Sequence, residues 1–181
     1  HVGKAEDCDR AIEETVKAFG TIDILVNNAA TNPAFGFAVD CSDDLFTKIM
    51  DVNVKGPFML IKKAVPHMQQ AGGGAIVNIV SVAGIVPAPM IGVYSVSKAA
   101  LIHLTKMFAK ELGMHGIRVN AVAPGLVKTD FSKALWSADE MLKDFLGRQP
   151  IQRLAEPRDM AGSVLFLASP ASAMMTGSVI V

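Results

Sequence analysis

The sequence predicts an α/β fold, a doubly wound parallel sheet, and three observations predict it. Apolar, β-branched runs recur along the chain without the polar alternation of a half-exposed strand. Helical patterns separate these runs. Polar residues capable of chemistry stand where the runs end. Strands that read as continuous apolar runs are buried on both faces, which is the habit of parallel sheets covered by helices. Right-handed crossovers between parallel neighbours then generate a doubly wound layer. Ligands of such sheets bind beyond the carboxyl ends of the strands.

The elements follow in order. Ile22-Asp23-Ile24-Leu25-Val26-Asn27 reads as the first buried strand, and His1-Val2 as the end of a preceding one. Ser42 offers an N-cap, with Asp43 and Asp44 in the first turn, for a long helix reaching about Gln70. Gly72-Gly73-Gly74 stops it. Ala75 to Val80 is the next strand. A second helix is expected from about Tyr94 to Leu112, closed by Gly113, and Ile117 to Val122 forms a third strand. A loop with short helices fills Pro124 to Gly147. Glu156-Pro157-Arg158-Asp159 opens a helix with proline in its first turn, running through Leu167. Ser178 to Val181 begins a last strand.

The chain has 181 residues, the length of one domain. Lys plus Arg and Asp plus Glu both number 17, and this zero balance argues against an electrostatic grip on nucleic acid. Gln69 to Ser97 carries no charge, but seven Gly and Pro residues interrupt it (Gly72, Gly73, Gly74, Gly84, Pro87, Pro89, Gly92), so it cannot be the continuous apolar helix a membrane span needs. Cys8 and Cys41 form no CxxC and read as reduced thiols of an intracellular protein, cytoplasmic or organellar. The opening HVGKAEDCDR lacks the apolar region of a signal peptide. His1, His67, His103 and His115 show no ligand spacing, and no catalytic metal is expected.

Tyr94 and Lys98 form Y-x-x-x-K. Residues four apart share a helix face, so phenol and ammonium can point into one site. A free tyrosine titrates near pH 10. A neighbouring cation favours the phenolate and is expected to lower that value. Tyr94 is then a candidate general acid for carbonyl reduction and base for alcohol oxidation. By itself the motif recurs by chance in many helices. Ser81 strengthens it: at the end of a buried strand, its hydroxyl can hold a substrate oxygen beside the phenol. Asn53 adds a third element. Pro57 has no N–H, so the carbonyl four residues back, that of Asn53, loses its helical partner. That carbonyl is a candidate to hold a water leading towards Lys98.

Asn27-Asn28-Ala29-Ala30, the Asn53 segment, Ser81, Tyr94-Ser95-Val96-Ser97-Lys98 and Pro124-Gly125-Leu126-Val127-Lys128-Thr129 together resemble the short-chain dehydrogenases/reductases in order and spacing. The resemblance covers essentially the whole chain. It implies a Rossmann-like domain over residues 1–181, with Asn53, Ser81, Tyr94 and Lys98 as catalytic tetrad. It further implies that Tyr94 and Lys98 bind the cofactor, Lys98 at the nicotinamide ribose, that Asn28 lines the cofactor groove, and that Val127 and Thr129 contact the nicotinamide end. The implied activity is hydride transfer between NAD(P)H and a small-molecule carbonyl or alcohol, with NADP favoured over NAD. Homodimers or homotetramers through the two long helices are implied as well. HVGKAED and the run from Ala123 to Trp136 resemble the carbonyl reductase and retinol dehydrogenase branch; a bacterial general-purpose reductase stays open.

The sequence departs from the family pattern. No G-x-G-x-x-G loop occurs, so the pyrophosphate cradle and the first βαβ unit are expected to be missing, as is the end of the last strand. Ala30 stands where the family usually has glycine. A truncated, non-catalytic remnant acting through protein contacts is therefore the alternative. After the Pro-Gly loop, Phe131, Leu135, Trp136, Met141, Phe145 and Leu146 are expected to form an apolar lid over the substrate.

Overall fold

The computed structural model describes residues 1–181, the side chain of Met141 excepted. The chain opens with helix α1 (Ala5–Phe19), which sequence reading left unassigned. Its signal was a stripe at four-residue spacing, Cys8, Ile12 and Val16, that packs inward. His1-Val2 lead into a turn, where the Lys4 N–H bonds the His1 carbonyl at 2.9 Å ahead of the helix.

Strand β1 (Ile24–Asn27) follows, then α2 (Asp43–Met50), capped by the Ser42 hydroxyl accepting from the Leu45 N–H at 3.3 Å. The expected single long helix is interrupted. A π-helical turn spans Asp51–Lys55, where the Gly56 N–H reaches back five residues to the Asp51 carbonyl, and α3 (Gly56–Gln70) resumes after it. Pro57 explains the change of pitch, since it offers no N–H to the Asn53 carbonyl. Strand β2 (Gly74–Ile79), helix α4 (Gly92–Leu112) and strand β3 (Ile117–Val122) come next. As expected, α4 ends at Leu112 with Gly113 as its C-cap, but Gly113 stays right-handed; a 3₁₀ turn carries on through His115, and the left-handed residue is Gly116, with φ 71°. Short helices α5 (Lys133–Trp136) and α6 (Asp139–Gly147) precede α7 (Pro157–Ala168), whose start is a reciprocal capping box between Glu156 and Asp159. Strand β4 (Val179–Ile180) ends the sheet.

The four strands pair in parallel in the order β1-β2-β3-β4. Ile24 to Asn27 lie against Ala75 to Asn78, and Gly74 to Ile79 against Ile117 to Val122. Side chains alternate between two cores. Ile76 and Val119 pack on one face with Ile12, Ile61, Met68 and Phe108 of α1, α3 and α4. Val77 and Val122 pack on the other with Leu167 of α7. The sheet is therefore doubly wound and Rossmann-like. The right-handed crossover rule does not extend to every unit, however. Strand order advances in one direction throughout, while α7 covers the face opposite α3 and α4. The β3-to-β4 connection thus has the opposite hand to the two before it, a rarity among parallel crossovers.

Strand β1 is an open edge, with Ile24 50% and Val26 40% exposed. Among the described residues, no helix is long and apolar enough to cross a membrane, and Cys8 and Cys41 are free thiols.

Candidate active site

The carboxyl ends of β1, β2 and β3 converge, and the chemistry-bearing residues gather there. Ser81 follows β2 and opens a 3₁₀ turn (Val82–Gly84), its hydroxyl accepting from the Ala83 N–H at 3.1 Å. That turn presses against α4. A Cβ on Gly84 would stand 2.7 Å from the Lys98 main-chain carbon, so only glycine allows this approach. Gly84 thereby seats Ser81 beside Tyr94 and Lys98, a role that sequence reading missed because the contact is non-local.

Tyr94 and Lys98 lie one turn apart in α4, the Lys98 Nζ 5.6 Å from the centre of the Tyr94 ring. Lys98 is 2% exposed. It donates to the Ile79 carbonyl at 2.8 Å, which holds the ammonium under the end of β2. Burial drives the Lys98 pKa down to about 8. The expectation that Lys98 lowers the Tyr94 pKa is not met. Burial holds the phenol above its ordinary value, and the group that draws it back down is the Ser81 hydroxyl. A buried ammonium that is itself destabilised, and committed to a carbonyl, does not outweigh the desolvation of the phenolate.

Asn53 is fully buried in the π turn. Its Oδ1 accepts from the Thr31 N–H at 2.8 Å, and its Nδ2 donates to the Thr31 carbonyl and the Ser97 hydroxyl, both at 3.0 Å. The Ser97 hydroxyl donates in turn to the Tyr94 carbonyl at 2.7 Å. The side chain of Asn53 therefore ties the loop after β1 to the helix that bears the phenol. Ser97 carried a local signal, three residues beyond Tyr94 on the same face; Thr31 carried none.

Asn28 is exposed just past β1. Val127 and Thr129 are half-buried after β3, where the Lys128 N–H bonds the Ala155 carbonyl at 2.8 Å. Ser132 folds back on this loop and donates to the Val127 carbonyl. Of the expected lid, Phe131 sits against Tyr94 with ring centres 6.0 Å apart. Trp136 is instead pinned, its Nε1 donating to the Thr129 carbonyl at 2.9 Å and its ring under the Lys128 Nζ. Leu135, Phe145 and Leu146 are half-buried; the Met141 side chain lies outside the described residues. Among the described residues, no three His, Cys, Asp or Glu side chains gather to hold a metal ion.

The arrangement fits a hydroxylated group beside Tyr94. The Lys98 ammonium has three N–H donors, and a single protein partner is found for them among the described residues, the Ile79 carbonyl. A ribose diol can take the others. The residues present thus fit the nicotinamide-ribose end of a dinucleotide.

Comparison with known proteins bears on this geometry. The family described as Enoyl-(Acyl carrier protein) reductase matches residues 1–181. Dehydrogenase/reductase SDR family member 4 from Homo sapiens is 46% identical over 181 residues, all of this chain and 65% of the relative. The chain thus spans about two thirds of that protein's length. An uncharacterized oxidoreductase from Thermotoga maritima is 44% identical over 180 residues, 97% of this chain and 71% of its own. Among solved structures, a short-chain type dehydrogenase/reductase from Mycobacterium ulcerans superposes with a TM-score of 0.95 at 30% identity, covering 99% of this chain and 66% of that one. ElxO with NADP bound superposes at 0.91 with 35% identity, covering 99% and 73%. Sheet order, the spacing of Ser81, Tyr94 and Lys98, and whole-chain similarity all point the same way: this chain belongs to the short-chain dehydrogenase/reductase family of oxidoreductases.

Proposed function

We propose that the protein transfers a hydride between NADPH or NADH and a carbonyl or alcohol, with Asn53, Ser81, Tyr94 and Lys98 carrying the chemistry. The convergence of Ser81, Tyr94 and the buried Lys98 at the strand ends is the observation that carries this reading. The nicotinamide, when bound, supplies or accepts the hydride. The Ser81 hydroxyl orients the substrate oxygen. Tyr94, kept protonated by its burial, gives that oxygen a proton during reduction and takes one back during oxidation. Lys98 holds the ribose diol. The main-chain carbonyl of Asn53 holds a water that reconnects Lys98 to solvent protons. Asn28, Val127 and Thr129 line the nicotinamide end. NADP is the favoured cofactor, supported by its presence in related ElxO. The alternative of a non-catalytic remnant has no structural observation in its favour.

Exposed Phe46, Phe58 and Val96 on the two long helical segments support assembly as a homodimer or homotetramer. The two free thiols, Cys8 and Cys41, support a location inside the cell.

The test is steady-state turnover of a carbonyl panel with NADPH and with NADH. Tyr94→Phe is expected to lower kcat by about a thousandfold, with the thermal midpoint unchanged. Wild-type kcat in that variant overturns the assignment.

A further inference from the structure

Met90, four residues before Tyr94, has φ 69°, in the left-handed region, and no other non-glycine residue of the described chain has a positive φ. A thioether side chain gains nothing from that conformation. Such strain persists where the surroundings enforce it, and it clusters at functional sites. Here the surroundings are a second segment. The Met90 carbonyl accepts from the Gly36 N–H at 2.8 Å, and Gly36 bridges Ile91 in a parallel pair. Residues 32–41 are thereby fastened to the approach of α4.

A cavity of about 120 Å³ lies between the two segments. Its walls include Phe35, Phe37, Cys41, Met90, Ile91 and Tyr94. Phe35, Phe37 and Met90 remain exposed although they are apolar. An enclosed apolar cavity of about 150 Å³ accommodates benzene; this one, open to solvent on one side, is on the scale of a branched alkyl group or a single ring. It is continuous with Tyr94 and separate from the strand ends assigned to the nicotinamide.

We propose that this cavity is the subsite for a compact apolar substituent, alkyl or phenyl, carried on one side of the substrate carbonyl, and that Met90 determines its size. The strained backbone of Met90 places the thioether in the wall and the carbonyl on Gly36 at once. The subsite rests on the assignment of Tyr94 as proton donor, but binding there does not require turnover.

Cys41 reports occupancy directly. Cys8, the other thiol, is buried, so alkylation by iodoacetamide followed by intact mass reads Cys41. Acetophenone at about four times its Kd is expected to slow that alkylation about fivefold in the wild type and in Tyr94→Phe alike, a drop that corresponds to site occupancy of roughly four fifths. Acetone is expected to leave it unchanged. Alkylation indifferent to acetophenone overturns the subsite. Retained turnover in Tyr94→Phe with protection intact overturns the catalytic assignment instead and leaves the subsite standing. Met90→Gly tolerates the backbone conformation and deletes the wall. It is expected to raise KM for acetophenone about fivefold while leaving KM for acetone within about twofold, the scale of lost apolar contact in a pocket. Equal shifts for both ketones overturn the role of Met90.

Discussion

Asn53 donates through Nδ2 to the hydroxyl of Ser97 at 3.0 Å, and that hydroxyl donates onward to the Tyr94 carbonyl at 2.7 Å. The helix that presents the phenol is thus tethered, through one buried amide, to the loop leaving β1. Asn53→Ala removes three hydrogen bonds and strands the Thr31 N–H in a part-buried position. The loss is expected to be about 2 kcal/mol, or about 4–8 °C of thermal midpoint for a chain of this size. kcat is expected to fall with it, because the main-chain carbonyl of the π turn loses its anchor. Near-full kcat in Asn53→Ala excludes the proton relay. Pro57→Ala leaves the side-chain tether in place but offers a helical N–H to the Asn53 carbonyl; kcat is expected to fall if that carbonyl holds the relay water, and an unchanged kcat would mark the kink as incidental.

Lys98 carries the clearest pH signature. Its folded pKa lies near 8, below the ordinary 10.5. The unfolded chain therefore holds this proton more tightly. Above about pH 10.5 the group is neutral in both states and exerts no penalty. As pH falls towards 8 the penalty grows, and below 8 it is complete, on the order of 3 kcal/mol. Stability of the wild type is expected to rise between about pH 8 and 10. Lys98→Met is expected to be more stable than wild type at neutral pH, to lose that rise, and to be inactive. Denaturant unfolding at several pH values reads all three; a parallel rise in Lys98→Met contradicts the buried ammonium.

Phe131 stands 6.0 Å from Tyr94, ring centre to ring centre, while Trp136 is held by the Thr129 carbonyl. Phe131→Ala is expected to raise KM for bulky ketones about fivefold with small ketones unaffected, the loss of one apolar contact. Trp136→Ala acts differently, by releasing Thr129, and is expected to raise KM for the cofactor. Identical KM profiles for the two variants would show that the loop moves as one piece.

The exposed edge at Ile24 and Val26 presents unpaired backbone together with apolar side chains. Such an edge templates association. These 181 residues produced alone are expected to self-associate, and Val26→Lys to shift sedimentation towards the monomer. A monodisperse, cooperatively melting wild-type chain contradicts this.

By itself the sequence determined what depends on near neighbours along the chain. The apolar runs placed β2 and β3 to within a residue, Ser42 and the Glu156–Asp159 segment marked two helix starts, and the four-residue spacing put Tyr94 and Lys98 on one face. These follow from period and capping, which are local physics. Helix α1 was legible in the same way, in the Cys8–Ile12–Val16 stripe, but its charged surface obscured it. Tertiary structure decided the rest. Thr31 meets Asn53 across 22 residues of chain, and Gly84 admits α4 only once sheet and helix are packed. The hand of the last crossover follows from which face α7 covers. The direction of the Tyr94 pKa turned on the same packing, because desolvation is set by everything that surrounds a group, and a spacing of four residues fixes only which charge is near.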